Sequence, residues 1–177
     1  MFYYICGKLA ALDPTYAVID AGGVGYKMTI TQNTYNSMPP HLSVKEAPTV
    51  KLYSYMAVRE DGVELFGFGS NEERNAFNLL TAVSGVGPKA AMSILSVMSP
   101  DRLAMAVCTE DIKGISKAPN IGAKTAARIV LELKDKIAKD FLPSTGAEKS
   151  AGSVGSVAHA SSGNLAEATE ALIVLGY

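Results

Sequence analysis

The chain has 177 residues, 48% of them hydrophobic and 19% charged, with a formal net charge of −1. No apolar run approaches the roughly 20 residues that a bilayer span requires, and Cys6 and Cys108 lie far apart without C-x-x-C spacing, which argues against a disulfide framework or a zinc site; both read as small core residues. The near-neutral total lacks the basic surplus usual in nucleic-acid-binding proteins, but residues 1–70 carry five basic and six acidic side chains, 71–140 ten and eight, and 141–177 one and three, so only the middle is basic.

The N-terminus, Met1-Phe2-Tyr3-Tyr4-Ile5, has neither the basic stretch nor the cleavage site of a secretory signal and reads as the start of a strand, so a cytoplasmic location is expected. Short strand signals continue at Tyr16–Ile19, Tyr26–Ile30 and Lys51–Tyr55, punctuated by Asp13-Pro14, Gly22-Gly23, Gly25 and Pro39-Pro40. Residues 1–68 therefore predict a small closed β-barrel of the OB-fold size, with a short helix over Asn33–Met38. Gly22, Gly23 and Gly25 are expected to serve barrel bends or bulges. Lys51–Glu60 and Val63–Phe68 flank Asp61-Gly62, a tight-hairpin signal. Glu60 and Asp61 then sit at the tip, which projects clear of the barrel if the arms outrun it.

After Phe68 the period becomes helical. Asn71-Glu72-Glu73 puts acids in a first turn, and Phe77, Leu80 and Val83 follow at helical spacing. Four more helices are expected at Lys89–Met98, Pro100–Cys108, Glu110–Lys117 and Lys124–Lys139. In the last, Ile129, Val130, Leu133 and Ile137 form an apolar stripe, with Lys124, Arg128, Lys134 and Lys136 on other faces. Residues 142–163, rich in Gly, Ser and Ala, read as a flexible linker with a reach of about 25 Å by random-coil scaling. Residues 164–177 open a further helix at Asn164-Leu165-Ala166-Glu167. A single helix of that length cannot bury its own apolar face, so it either docks elsewhere or begins an incomplete C-terminal domain. The fold class is multidomain, β then α.

Two segments share one design. Leu80–Ala91 and Ile115–Ala126 each contain a helix end, a tight turn with an apolar residue (Val86, Ile121) before a Gly (Gly87, Gly122), a Lys two positions later (Lys89, Lys124), and a helix start. A helix N-terminus leaves N–H groups unpaired and partly positive, so it attracts phosphate oxygens, and glycine admits them close to the main chain. Gly85, Val86, Gly87, Lys89 and Ala90, and Asn120, Ile121, Gly122, Lys124, Thr125 and Arg128, are accordingly the candidate phosphate-binding residues. Such contacts hold nucleic acid without reading sequence. Gly85-Val86-Gly87-Pro88-Lys89-Ala90 also matches the glycine spacing of a dinucleotide fingerprint, but helical residues, not a strand, precede it. Gly122-Ala123-Lys124-Thr125 lacks the Gly-Lys pair of a phosphate loop. No nucleotide, metal or other cofactor site and no catalytic residue emerges: His41 and His159 fall in a Pro-rich loop and the linker.

Three motifs, Val58-Arg59-Glu60-Asp61-Gly62-Val63-Glu64-Leu65-Phe66-Gly67-Phe68, Gly85-Val86-Gly87-Pro88-Lys89 and Ile121-Gly122-Ala123-Lys124-Thr125-Ala126-Ala127-Arg128, resemble the RuvA family in order and spacing over residues 1 to about 140. The resemblance implies an OB barrel, a tandem helix-hairpin-helix domain over 69–141 and a mobile C-terminal domain. It implies a non-enzymatic subunit that binds four-way (Holliday) DNA junctions for branch migration in recombination and repair, as a homotetramer or octamer. ATP hydrolysis would belong to a partner motor, RuvB, with RuvC as the associated resolvase. Glu60 and Asp61 would be an acidic pin that repels phosphates at the junction centre. Asn120 stands where the family usually has Gly, and Ala123 where a second Lys is common, so the second hairpin is expected to hold phosphate more weakly. Family members continue for several helices beyond Tyr177. On the residues alone, a helix-hairpin-helix repair nuclease or glycosylase and an RNA-binding OB protein remain alternatives.

Overall fold

The computed structural model describes residues 2–39, 47–60 and 62–141, with only the backbone for 135–141. Expectations resting on His41, Asp61, His159, the side chain of Ile137, the linker 142–163 and the helix from Asn164 lie outside those residues. The chain divides into two compact units, Met1–Lys134 and Asp135–Tyr177. Among the described residues no single helix is long and apolar enough to cross a membrane.

In the first unit, five strands close into a barrel: β1 (Tyr4–Asp13), β2 (Tyr16–Ala21), β3 (Val24–Ile30), β4 (Thr49–Arg59) and β5 (Gly62–Phe68), in the spatial order β1-β2-β3-β5-β4. The strand signalled by Tyr3-Tyr4-Ile5 runs on to Asp13, although Cys6–Leu12 contains glycine and alanine, which favour strands weakly. It is held from both sides: Tyr4–Lys8 pairs with β4, and Lys8–Asp13 pairs with β2 across an irregularity between Leu9 and Ala11. A Cβ on Gly7 would sit 2.1 Å from the Asp20 carbonyl oxygen, so only glycine lets the strands approach. Gly22 and Gly23 do not bend the barrel as expected. With φ of +66° and +86° between the paired Ala21 and Val24, they form the two-residue turn joining β2 to β3. Ile5, Leu9, Ile19, Met28 and Leu52 alternate inward and fill the barrel.

The helices are α1 (Gln32–Ser37), α2 (Asn71–Thr81), α3 (Pro88–Val97), α4 (Pro100–Cys108), α5 (Ile112–Ile115) and α6 (Ala123–Phe141). The helix expected over Glu110–Lys117 shrinks to α5, because Glu110 has φ +55° and Asp111 turns its carboxylate onto the Gly114 amide at 2.8 Å, starting the helix later. Both cysteines are exposed rather than in the core: Cys6 faces outward between Ile5 and Gly7, and Cys108 ends α4 on its solvent side.

Barrel and helices join through an aromatic cluster and a buried carboxylate. Phe77 of α2, fully buried, has its ring 5.0 Å from Tyr55, 5.4 Å from Phe66 and 4.9 Å from Phe68. Glu73, 4% exposed, accepts from the hydroxyls of Thr31 and Thr34, the latter at 2.5 Å. A carboxylate withdrawn from water needs such donors, and its place in the first turn of α2 adds the favourable end of the helix dipole. Asn33 of α1 donates its amide to the carbonyls of Leu95 (2.6 Å) and Met98 (3.1 Å), closing the C-terminal end of α3. The first hairpin is thereby fixed to the barrel at both of its helices.

Candidate nucleic-acid interface

Two hairpins, α2–turn–α3 and α5–turn–α6, repeat one another at a 35-residue offset down to single hydrogen bonds. Val83 N donates to Leu80 O and Ala118 N to Ile115 O; Val86 N donates to Val83 O (3.0 Å) and Ile121 N to Ala118 O (3.1 Å); Ala91 N donates to Gly87 O (3.0 Å) and Ala126 N to Gly122 O (2.9 Å). The buried pairs Leu80/Ile115, Val83/Ala118, Val86/Ile121 and Ile94/Ile129 keep the same phase. Gly85 at φ +84° and Asn120 at φ +63° occupy the third position of each β-turn, where positive φ is required; Asn is one of the few other residues that tolerates it.

Val86 (4% exposed) and Ile121 (6%) point into the core, whereas Gly85, Gly87, Lys89, Asn120, Gly122 and Lys124 are exposed. Ala90 and Thr125 are half-buried, and the Arg128 side chain is 53% exposed. Because the first helical bonds are made by Ala91 and Ala126, the amides of Lys89 and Ala90, and of Ala123, Lys124 and Thr125, precede them at the open helix ends. Pro88 has no N–H. Ala123 therefore supplies a backbone donor that the first hairpin does not have.

The caps are telling. Thr31, Ser70, Ser99 and Asp111 each close the N-terminus of α1, α2, α4 and α5 with a side-chain hydrogen bond, but Gly87 gives α3 none. No internal constraint demands glycine there. Gly87 has φ −85° and ψ 172°, open to any residue, and a Cβ at Gly87 or Gly122 would meet nothing within 4 Å.

The two turns are also tied to each other. Ser84 N donates to Glu132 Oε2 of α6 at 3.2 Å, while Glu132 Oε1 holds Arg128 Nε at 2.7 Å. Reciprocally, Ser93 Oγ of α3 donates to Pro119 O in the second turn at 2.8 Å. Ser84 and Pro119 are equivalent positions, so each second helix braces the opposite turn, as an approximate two-fold relation produces. Neither Ser93 nor Glu132 was singled out from sequence, since a polar residue on an amphipathic helix carries no signal until the turn it reaches is known.

At the other candidate site, β4 and β5 pair from Tyr53↔Phe68 to Arg59↔Gly62. Gly62 is thus paired within β5, rather than turning the hairpin with Asp61 as expected. Burial on β4 ends at Ala57, and the Val58↔Val63 pair beyond it is 67% and 64% exposed. Two rungs thus project, about 7 Å at the usual strand rise, with Glu60 exposed at the end.

Comparison with known proteins agrees with both halves. Residues 1–67 match the RuvA N terminal domain family, and residues 77–135 match the SAM-like helix-hairpin-helix tandem family. Proteins named Holliday junction branch migration complex subunit RuvA are similar along the chain. The one from Acetivibrio thermocellus is 44% identical over 177 residues, covering all of this chain and 84% of its own length. That from Ruminiclostridium cellulolyticum is 43% identical over 181 residues, covering all of this chain and 85% of its own. That from Finegoldia magna is 44% identical over 144 residues, 81% of this chain and 70% of its own. With matching domains in the same order and identity sustained over its whole length, the chain belongs to the RuvA family.

Proposed function

We propose that this chain is a non-catalytic subunit that binds four-way DNA junctions without sequence preference and holds them for branch migration. The strongest support is the pair of glycine-opened helix starts: that of α3 lacks the side-chain cap that closes α1, α2, α4 and α5, and a Cβ at either glycine would meet nothing inside the protein. Leading amides with a lysine beside them suit a phosphate oxygen. On this reading Gly85, Val86, Gly87, Lys89 and Ala90 form one grip and Asn120, Ile121, Gly122, Lys124, Thr125 and Arg128 the other, with Val86 and Ile121 acting by anchoring the turns. Backbone donors also account for a nucleic-acid grip on a chain with net charge −1.

Glu60 and Asp61 would act as an acidic pin, pushing phosphates apart where strands exchange. The working unit would be a homotetramer, or an octamer on DNA, in the cytoplasm. Residues 142–163 would be a linker to a C-terminal motor-binding segment, 164–177. The energy would come from ATP hydrolysis in the partner RuvB motor, and RuvC would resolve the junction. Family membership favours this reading over a repair nuclease or glycosylase.

A gel-shift series with a four-way junction and a linear duplex of the same sequence tests it. Preference for the junction is expected; equal affinity for both would refute structure-selective binding.

A further inference from the structure

We infer that the outer face of the β1/β4 pair is a second nucleic-acid surface, a short stacking platform for single-stranded DNA. On this face, Tyr4 pairs with Tyr53, Cys6 with Lys51, and Lys8 with Thr49. Tyr3 joins at one end, its ring 6.0 Å from Tyr53 and 6.3 Å from Tyr4, both edge-on. Cations are interleaved with the rings: Lys51 Nζ lies 4.8 Å from the Tyr53 centroid and 5.4 Å from that of Tyr4, and the Arg74 guanidinium lies 4.0 Å over Tyr3.

Three properties point to a ligand. First, the rings are open, with Tyr3 56% and Tyr4 52% exposed. Second, they are held in place. Ser54 takes the Tyr3 carbonyl with its amide (3.0 Å) and the Phe2 carbonyl with its hydroxyl (2.7 Å), and Tyr4 is locked in the sheet. Third, the charge on the two strands is positive. The outward positions of β1 and β4 here carry Lys8 and Lys51 and no acid; the flanking Asp20, opposite Lys8 on β2, has its carboxylate on the Gly23 amide.

A protein partner fits this face poorly, because lysine is depleted from the cores of protein interfaces and cations buried there would need acids to meet them. A single strand brings both complements at once, base faces for the tyrosines and phosphates for Lys8, Lys51 and Arg74. From Lys8 to Tyr4 the face runs about 13 Å at the usual rise, room for a few nucleotides. Apart from Arg74, which reaches it from α2, the platform lies on the barrel strands, and it uses none of the residues proposed to grip the junction. It gives a junction-binding protein a place to hold a strand that is unpaired during exchange.

The test is fluorescence anisotropy of a labelled twelve-residue oligothymidine with the full chain at low salt. Tyr4→Ala is expected to weaken binding roughly tenfold, the loss of one stacked base. Tyr4→Phe, which keeps the ring, should bind as the parent does. Lys51→Glu should weaken binding and flatten its salt dependence. The hairpin variant Lys89→Ala/Lys124→Ala should retain oligothymidine binding while losing affinity for a four-way junction, which separates this surface from the proposed junction grips. Parental binding by both Tyr4→Ala and Lys51→Glu, or no oligothymidine binding by the parent, would overturn the inference. So would a change of mass in light scattering on Tyr4→Ala, which would make the face a protein contact.

Discussion

Replacing Gly87 and Gly122 together by alanine separates the fold from the grip. A methyl at either position meets no atom within 4 Å, and the φ of Gly87 is acceptable to alanine. Alanine is a poorer N-cap than glycine, but it also reduces the freedom of the unfolded chain, worth about 0.4–1 kcal/mol per site. The two effects oppose each other, so the melting temperature should move by no more than about 2–4 °C, the shift that ~1 kcal/mol produces in a protein this size. Gly85→Ala is the control: at φ +84° a Cβ costs roughly 1–2 kcal/mol, so this variant should melt lower. On junction DNA the ranking reverses in meaning. If each methyl displaces one phosphate oxygen from the leading amides, a hydrogen bond to a charged group worth ~1.5–3 kcal/mol is lost at each site, roughly ten- to hundredfold in affinity per site and about a hundred- to ten-thousandfold for the pair. Thermal denaturation beside a junction titration measures both. A Gly87→Ala/Gly122→Ala protein that binds the junction as the parent does would refute the assignment of these glycines to the ligand. One that melts as low as Gly85→Ala would show that their role is internal.

Lys89→Ala with Lys124→Ala should weaken junction binding and lower the slope of log affinity against log salt by about 2, one unit per lost phosphate contact; an unchanged slope removes both lysines from the interface. Glu60→Lys with Asp61→Lys, at the tip of the β4–β5 hairpin, should leave junction binding intact or tighter while altering junction conformation in a fluorescence-transfer assay, whereas a folded variant that fails to bind contradicts the pin role. Phe77→Ala removes the ring shared by Tyr55, Phe66 and Phe68 and should cost ~3–5 kcal/mol in denaturant unfolding; a loss below about 1 kcal/mol would mean that the barrel–helix seam does not depend on it.

Much of this was legible in the residues. The repeat of apolar-Gly-x-Lys at a constant offset located both hairpins, because the same turn geometry imposes the same residue types each time. The barrel was legible as a class through its alternating strands. Its closed form was legible too, but which strands close it was not, since the parallel contact of β3 with β5 and the pairing of β1 with β4 are long-range and leave no local trace. Tertiary pairing carried β1 through residues with little strand preference, and a single positive φ at Glu110 cut short a helix that periodicity had favoured. Residue type alone puts Cys6 and Cys108 in the core, but it sets average burial and not which side of a strand or helix a residue faces. Glu73 looked like an ordinary first-turn acid. Its buried threonine partners belong to α1, some forty residues earlier in the chain.

The reciprocal braces between the hairpins have one further consequence. A turn that could shift alone would adapt to whatever anion came near, but Ser84 is fastened to α6 and Pro119 to α3. On the proposed reading the two open helix ends would act as the jaws of a fixed caliper. A polymer gripped by both would have to present its oxygens at that one separation, so selection by groove width would follow from backbone contacts alone.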